Sequence, residues 1–244
     1  VINANGNLGA IAGRILVGNS LNMFTRYQFI EYAIAHRFIK PAMDVLNTII
    51  VVPGAIGLWN KQTLLEAGGF SPVTLAEDAD TTMSVISSGK NVRFRDGILA
   101  RTEVPITLSS LFKQRTRWQL GNMQALRKHS KGFFRRKYGY LGSIGMPMLA
   151  IDIFNAILFP LFVLFLLWLF IADLFTLYYV FDSSIDFYYS TGFKLLAQGL
   201  FAFEVLLCLI AIFFEKADLK TKLLAVITLP YYFIVYKAFL SVVT

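Results

Sequence analysis

Residues 77–95 read EDADTTMSVISSGKNVRFR, a stretch that changes character twice. Its acids, Glu77, Asp78 and Asp80, suit the opening turn of a helix, where the partial positive charge of the N-terminus favours carboxylates. Met83 and Ile86 carry that helix on as an apolar stripe, Gly89 stops it, and the residues after Lys90 read as a strand. A helix handing over to a strand in so short a distance predicts an α/β arrangement.

Upstream, the same alternation continues. AIAGRILV (10–17) and NTIIVVPGAIGLW (47–59) are β-branched, apolar and bounded by Gly or Asn, as strands are. Between them, residues 22–46 have helical periodicity, with Phe29, Tyr32, Ala33 and His36 on one face. NKQTLLEAGGF (60–70) predicts a short helix capped by Asn60 and ended by Gly68 and Gly69. The chain opens at Val1, without an initiator Met or the basic and apolar blocks of a signal peptide. It therefore reads as the C-terminal part of a longer protein.

Downstream, the composition shifts. The 244 residues carry a net charge of +8 and are 56% hydrophobic, more apolar than one soluble core of this length needs. Much of the positive charge crowds between Lys113 and Lys137, a pattern that suits nucleic acid or anionic lipid. The apolar run that follows favours lipid, and no nucleic-acid partner is expected. Three stretches, near 144–172, 195–214 and 223–243, approach the roughly 20 apolar residues that a bilayer crossing needs. They carry Asp152, Glu204 and Lys237, and ionisable groups at membrane depth should face protein or a wet path. Lys/Arg residues flank the first span on its N-terminal side and are missing from the loop between Leu174 and Phe193, which predicts a cytoplasmic N-terminal region. The single cysteine, Cys208, sits in an apolar segment, so no disulfide framework is available within the chain.

Two short motifs carry chemistry. The acids at 77–80 could simply cap a helix, or one of them could be a general base that takes a proton from an attacking hydroxyl. In QRTRW (114–118), Gln114, Arg117 and Trp118 fall at i, i+3 and i+4 and share one helical face. An Arg fork suits a diphosphate and an indole suits the apolar face of a sugar ring, although Arg and Trp also anchor interfacial helices at lipid headgroups. On this spacing Arg115 points elsewhere, free to face lipid or solvent. Gly54 and Gly57, in a loop after a strand, would let backbone approach a substrate or merely make a tight turn. His36 and His129 lack companions at metal-ligand spacing and read as non-catalytic.

Taken in order, GAIG (54–57), EAGGF (66–70), AEDAD (76–80) and QRTRW (114–118), followed by membrane spans, resemble the processive, membrane-embedded family 2 glycosyltransferases. These include synthases of cellulose, chitin, hyaluronan and poly-N-acetylglucosamine. QFIEY, VVPGAIGLW and TLAEDAD are most similar to the poly-N-acetylglucosamine branch, and the gating-loop signature F-x-V-T-x-K of the cellulose branch is missing. The resemblance implies the C-terminal part of a GT-A-type nucleotide-sugar transferase domain (1–104), amphipathic interfacial helices with Q-x-x-R-W (105–140) and a transmembrane helical bundle (141–244). It implies Asp78 as the catalytic base with Glu77 beside it, and Gln114, Arg117, Trp118, Gly54, Gly57 and Asp80 on substrate. A base on one face of the donor sugar and a diphosphate leaving from the other would give in-line displacement with inversion.

The implied partners are a nucleotide sugar, with UDP-N-acetylglucosamine the closest fit, a polysaccharide acceptor, the lipid bilayer and an accessory membrane subunit. The implied location is the inner membrane, multi-pass, with the catalytic region cytoplasmic. Mg²⁺ or Mn²⁺ would be held through an upstream D-x-D motif. Here DAD (78–80) belongs to the base motif, so no metal ligand is expected within the chain. The alternatives are a transferase to another polymer or to a lipid, or a non-catalytic component of polysaccharide export.

Overall fold

The computed structural model describes residues 6–19, 22–154, 168 and 184–243. A three-stranded sheet forms its base. β1 (Leu8–Val17) lies at the centre, antiparallel to the short β2 (Gly57–Trp59) and parallel to β3 (Asn91–Thr102). The expected helix–strand handover is present: α4 (Glu77–Ser87) ends at Gly89, whose φ of +86° only glycine adopts easily, and β3 follows.

Local chemistry sets the other boundaries. α1 (Met23–Ile34) opens with a capping box between Asn22 and Thr25, continues through a π turn (Ala35–Ile39) and ends as α2 (Lys40–Val45). α3 (Lys61–Glu66) is capped by Asn60, and Gly68 and Gly69 after it both have positive φ. α5 (Leu108–Lys128), which holds QRTRW, starts from a second capping box between Thr107 and Ser110. α6 (Leu141–Phe154) follows two 3₁₀ turns.

One strand expectation is corrected. Residues 49–53 are outside the sheet ladder, and only Gly57–Trp59 pair. Side chains satisfy the backbone groups that a neighbouring strand would otherwise take: the Val52 N–H donates to Thr82 Oγ1 at 2.9 Å, and the Lys40 ammonium donates to the Val51 carbonyl.

Two apolar clusters hold the layers. The first joins the sheet to α4 and α6 through Ala10, Ala12, Ile49, Val52, Met83, Val85, Val92 and Met146. Met83 and Val85 are fully buried, each contributing about 1.5–3 kcal/mol. The second joins α1 and α5 to a C-terminal helical hairpin through Tyr27, Ile30, Leu111, Cys208, Ile212, Leu229 and Tyr236.

That hairpin comprises α7 (Ser184–Phe213) and α8 (Leu219–Tyr231), the latter running through a π turn (Tyr232–Tyr236) into α9 (Lys237–Val243). Of the three expected spans, the first lies mostly outside the described residues. Within the second, the apolar helical stretch Gln198–Phe213 is short. The third corresponds to Leu219–Leu240, the one helix among the described residues that is long and apolar enough to cross a membrane. Glu204 and Lys237 pair with each other across the hairpin, so each has a protein partner. A further ion pair ties the hairpin turn to the sheet. Arg14 of β1 is fully buried and donates to Glu215 Oε2 at 2.6 Å and to Asp96, which an irregularity in the β1–β3 register brings to it.

Candidate active site

α4 and α5 face each other across the loop that precedes α4. Gly121 makes the approach possible, because a Cβ there would lie 2.5 Å from Ala76 Cβ and 2.6 Å from the Ala76 nitrogen. Two side chains then fasten the loop to α5. Gln124 Oε1 accepts from the Leu75 N–H at 2.8 Å, and Arg117 donates to the Leu75 carbonyl at 3.3 Å. The first turn of α4 and the QRTRW face are thereby held on the same rim.

Between them opens a cavity of about 450 Å³. Glu77, Asp78, Gly54, Gln114, Arg117 and Trp118 all line it, so residues from three separate segments converge on one space. Asp78 Oδ2 accepts from the Gly54 N–H at 3.2 Å, and Thr82, which donates to the Asp78 carbonyl at 2.6 Å, ties the Val52 segment to the same helix. Gln114 Oε1 is buried without a hydrogen-bond partner. A buried acceptor of that kind is costly unless something donates to it.

Two of the expected substrate residues lie elsewhere. Asp80 is 1% exposed and accepts from Lys128 Nζ at 2.6 Å, with His129 Nε2 2.8 Å away. It braces α4 against the end of α5. Gly57 lies in β2, where a Cβ would sit 2.7 Å from Val52 Cγ1 and 2.8 Å from Trp59 Nε1, so tight packing accounts for glycine at that position. The reading of Arg115 is also corrected. It is buried, it grips Glu31 with both terminal nitrogens at 2.9 and 2.7 Å, and its guanidinium lies 4.5 Å from the Trp118 ring centroid.

The cavity also holds groups outside the acidic and QRTRW motifs, among them Glu31 and Tyr32 of QFIEY, whose shared helical face suits either an acceptor path or packing. Lys40, His36, Glu31 and Glu103 line it, giving four carboxylates and two cations around one space. Burial pulls the Lys40 ammonium down to about 8, against the opposing attraction of Asp78. Burial likewise holds His36 neutral, lowering it to about 4. Its hydrogen bonds agree, since Nε2 accepts from the Ile15 N–H at 3.3 Å while Nδ1 faces the Tyr32 carbonyl at 2.8 Å. The spacing Lys40-Pro41 at a helix turn gives no local hint of this burial. Among the described residues no group of three His, Cys, Asp or Glu could hold a metal ion.

Residues 3–236 match glycosyl transferase family group 2. The chain belongs to that family. It is similar to the poly-beta-1,6-N-acetyl-D-glucosamine synthase of Staphylococcus aureus strain COL, with 26% identity over 119 residues, covering 49% of this chain and 29% of that protein. It is similar also to the synthase of the same name from Staphylococcus epidermidis, with 27% identity over 122 residues, covering 50% of this chain and 30% of the other. The match thus spans about three-tenths of the length of these relatives.

Proposed function

We propose that the chain forms the base-and-acceptor half of an inverting, processive glycosyltransferase that extends a β-linked polysaccharide. Asp78 takes the proton of the acceptor hydroxyl as that oxygen attacks the anomeric carbon. The nucleoside diphosphate leaves from the opposite face, and Arg117 stands where its charge develops. Trp118 is the platform under the terminal sugar of the acceptor, and the unpartnered Gln114 Oε1 accepts from one of its hydroxyls. Glu77 shapes the mouth. The convergence of Asp78 with Gln114, Arg117 and Trp118 on one cavity carries this reading.

The donor we propose is UDP-N-acetylglucosamine, because the similar proteins are named as synthases of an N-acetylglucosamine polymer. The proposed Mg²⁺ or Mn²⁺ would help the diphosphate leave, held by ligands outside residues 1–244. The helix Leu219–Leu240 and the two other apolar stretches would form a multi-pass inner-membrane bundle that passes the polymer outward, with the cavity on the cytoplasmic side. An accessory membrane subunit would complete the assembly.

The test is polymer formation from radiolabelled UDP-N-acetylglucosamine by the full-length protein in membranes. Asp78→Asn is expected to abolish incorporation and Trp118→Ala to lower it strongly. Intact synthesis with Asp78→Asn removes the base assignment. Incorporation from a different nucleotide sugar, or into lipid, would retain the chemistry and change the substrate.

A further inference from the structure

A buried polar cluster of Glu31, Arg115 and Tyr236 has no part in the proposed proton transfer or diphosphate departure. It joins three elements that are remote in sequence. Tyr236, in the π turn of the membrane-length helix, donates from its hydroxyl to Glu31 Oε2 at 2.6 Å. Arg115 of α5 donates to the same Tyr236 oxygen at 3.2 Å and grips both oxygens of Glu31, while its guanidinium lies against the indole of Trp118. Glu31 and Trp118 both line the cavity, whereas Arg115 and Tyr236 lie behind it, almost entirely withdrawn from solvent.

A simple framework ion pair would not need this shape. A bidentate fork fixes the guanidinium, and a fixed cation over the indole face favours one placement of that ring. The hydroxyl of Tyr236 adds the third point. Because Tyr236 belongs to the C-terminal hairpin, the placement of the indole depends on where that helix sits against α1 and α5.

We infer that Arg115 is a positioning residue that sets Trp118 for the acceptor sugar, and that Tyr236 and Glu31 make this setting depend on the docking of the membrane-length helix. The inference rests on the reading of Trp118 as the acceptor platform. Its consequence is that displacement of the hairpin, as an exiting polymer would impose, is transmitted to the platform through one hydroxyl and one guanidinium. The donor side of the cavity, at Asp78 and Lys40, has no bond in this relay.

The experiment uses the full-length protein in lipid nanodiscs, with UDP-N-acetylglucosamine as donor and an N-acetylglucosamine oligosaccharide as primer. Tyr236→Phe removes one hydroxyl and keeps the aromatic packing. It is expected to raise the KM for primer about tenfold, the worth of one hydrogen bond to a charged group, while the KM for donor stays within about twofold. Arg115→Lys keeps the charge but loses the fork and is expected to do the same, more strongly. A form with Trp59→Phe, Trp168→Phe and any Trp outside residues 1–244 changed to Phe leaves Trp118 as the only indole. There, Tyr236→Phe should red-shift its emission and increase its quenching by acrylamide.

Unchanged primer KM and unchanged Trp118 emission in Tyr236→Phe would overturn the inference. A parallel rise of both KM values would also overturn it, since a merely structural role predicts that result. If Trp118→Ala leaves the primer KM unaltered, the platform reading itself falls, and that outcome is separate from the result with Tyr236→Phe.

Discussion

The two sides of α4 have different work. Asp78 looks into the cavity, half-buried, with a backbone N–H on each carboxylate oxygen, that of Gly54 on Oδ2 and that of Ala79 on Oδ1. Asp80, two positions later, is buried between Lys128 and His129 and reaches no open space. One acid has only backbone N–H donors and borders open space, while both oxygens of the other are committed to the side chains of Lys128 and His129. Acids crowded in one motif therefore do not share one role, and the partner each meets across the helix decides which role it has.

This contrast can be broken from either side. The largest expected effect is on turnover: Asp78→Asn should lower it by roughly 10²–10⁴-fold, with little change in the unfolding midpoint. Asp80→Ala should do the reverse. Breaking a buried pair by removing one partner costs about 3–5 kcal/mol, and Lys128, 40% exposed, places this case toward the lower end. Denaturant unfolding in detergent would measure the loss, while activity per folded molecule should be retained. Loss of both properties in both variants would mean that the division is wrong.

The cavity wall offers a smaller perturbation. His36 is neutral when folded down to pH of about 4, against an ordinary value near 6.5. An unfolded chain takes up that proton first, so stability should be whole above pH 6.5 and decline as pH falls toward 4, by on the order of 3 kcal/mol. His36→Gln should flatten that part of the stability–pH curve. The smallest effect is expected from Gly121→Ala, at about 1–3 kcal/mol from overpacking against Ala76. Since Ala76 precedes the helix that carries Asp78, this variant should widen the rim and raise substrate KM values more than it lowers the melting temperature.

Local rules made much of this legible. The stop at Gly89, the Asn60 cap and the shared face of Gln114, Arg117 and Trp118 depend on neighbours within a few positions, which the sequence displays directly. Asp78 and Asp80 are harder to tell apart. Two helical steps separate their directions by roughly 200°, but which direction is core depends on Lys128, 48 positions away. Arg115 reads as free in the sequence for the same reason, because its partners lie 84 and 121 positions away in Glu31 and Tyr236. Lys40 gave no signal either, since a long cation at a helix turn ordinarily reads as solvated. The ladder pairing of residues 49–53 failed because the hydroxyl of Thr82 and the ammonium of Lys40 took the backbone groups that a strand would have used.

The ion pair of Arg14 with Glu215 has a consequence for how the protein is made. The two residues are 201 positions apart, so a growing chain exposes the guanidinium of its central strand long before the ribosome delivers the carboxylate. Until the hairpin has been threaded to its place, the sheet keeps a cation with half of its neutralisation missing. Full neutralisation of Arg14 thus waits on delivery of the hairpin, and a copy in which it is misplaced keeps a buried cation short of one partner.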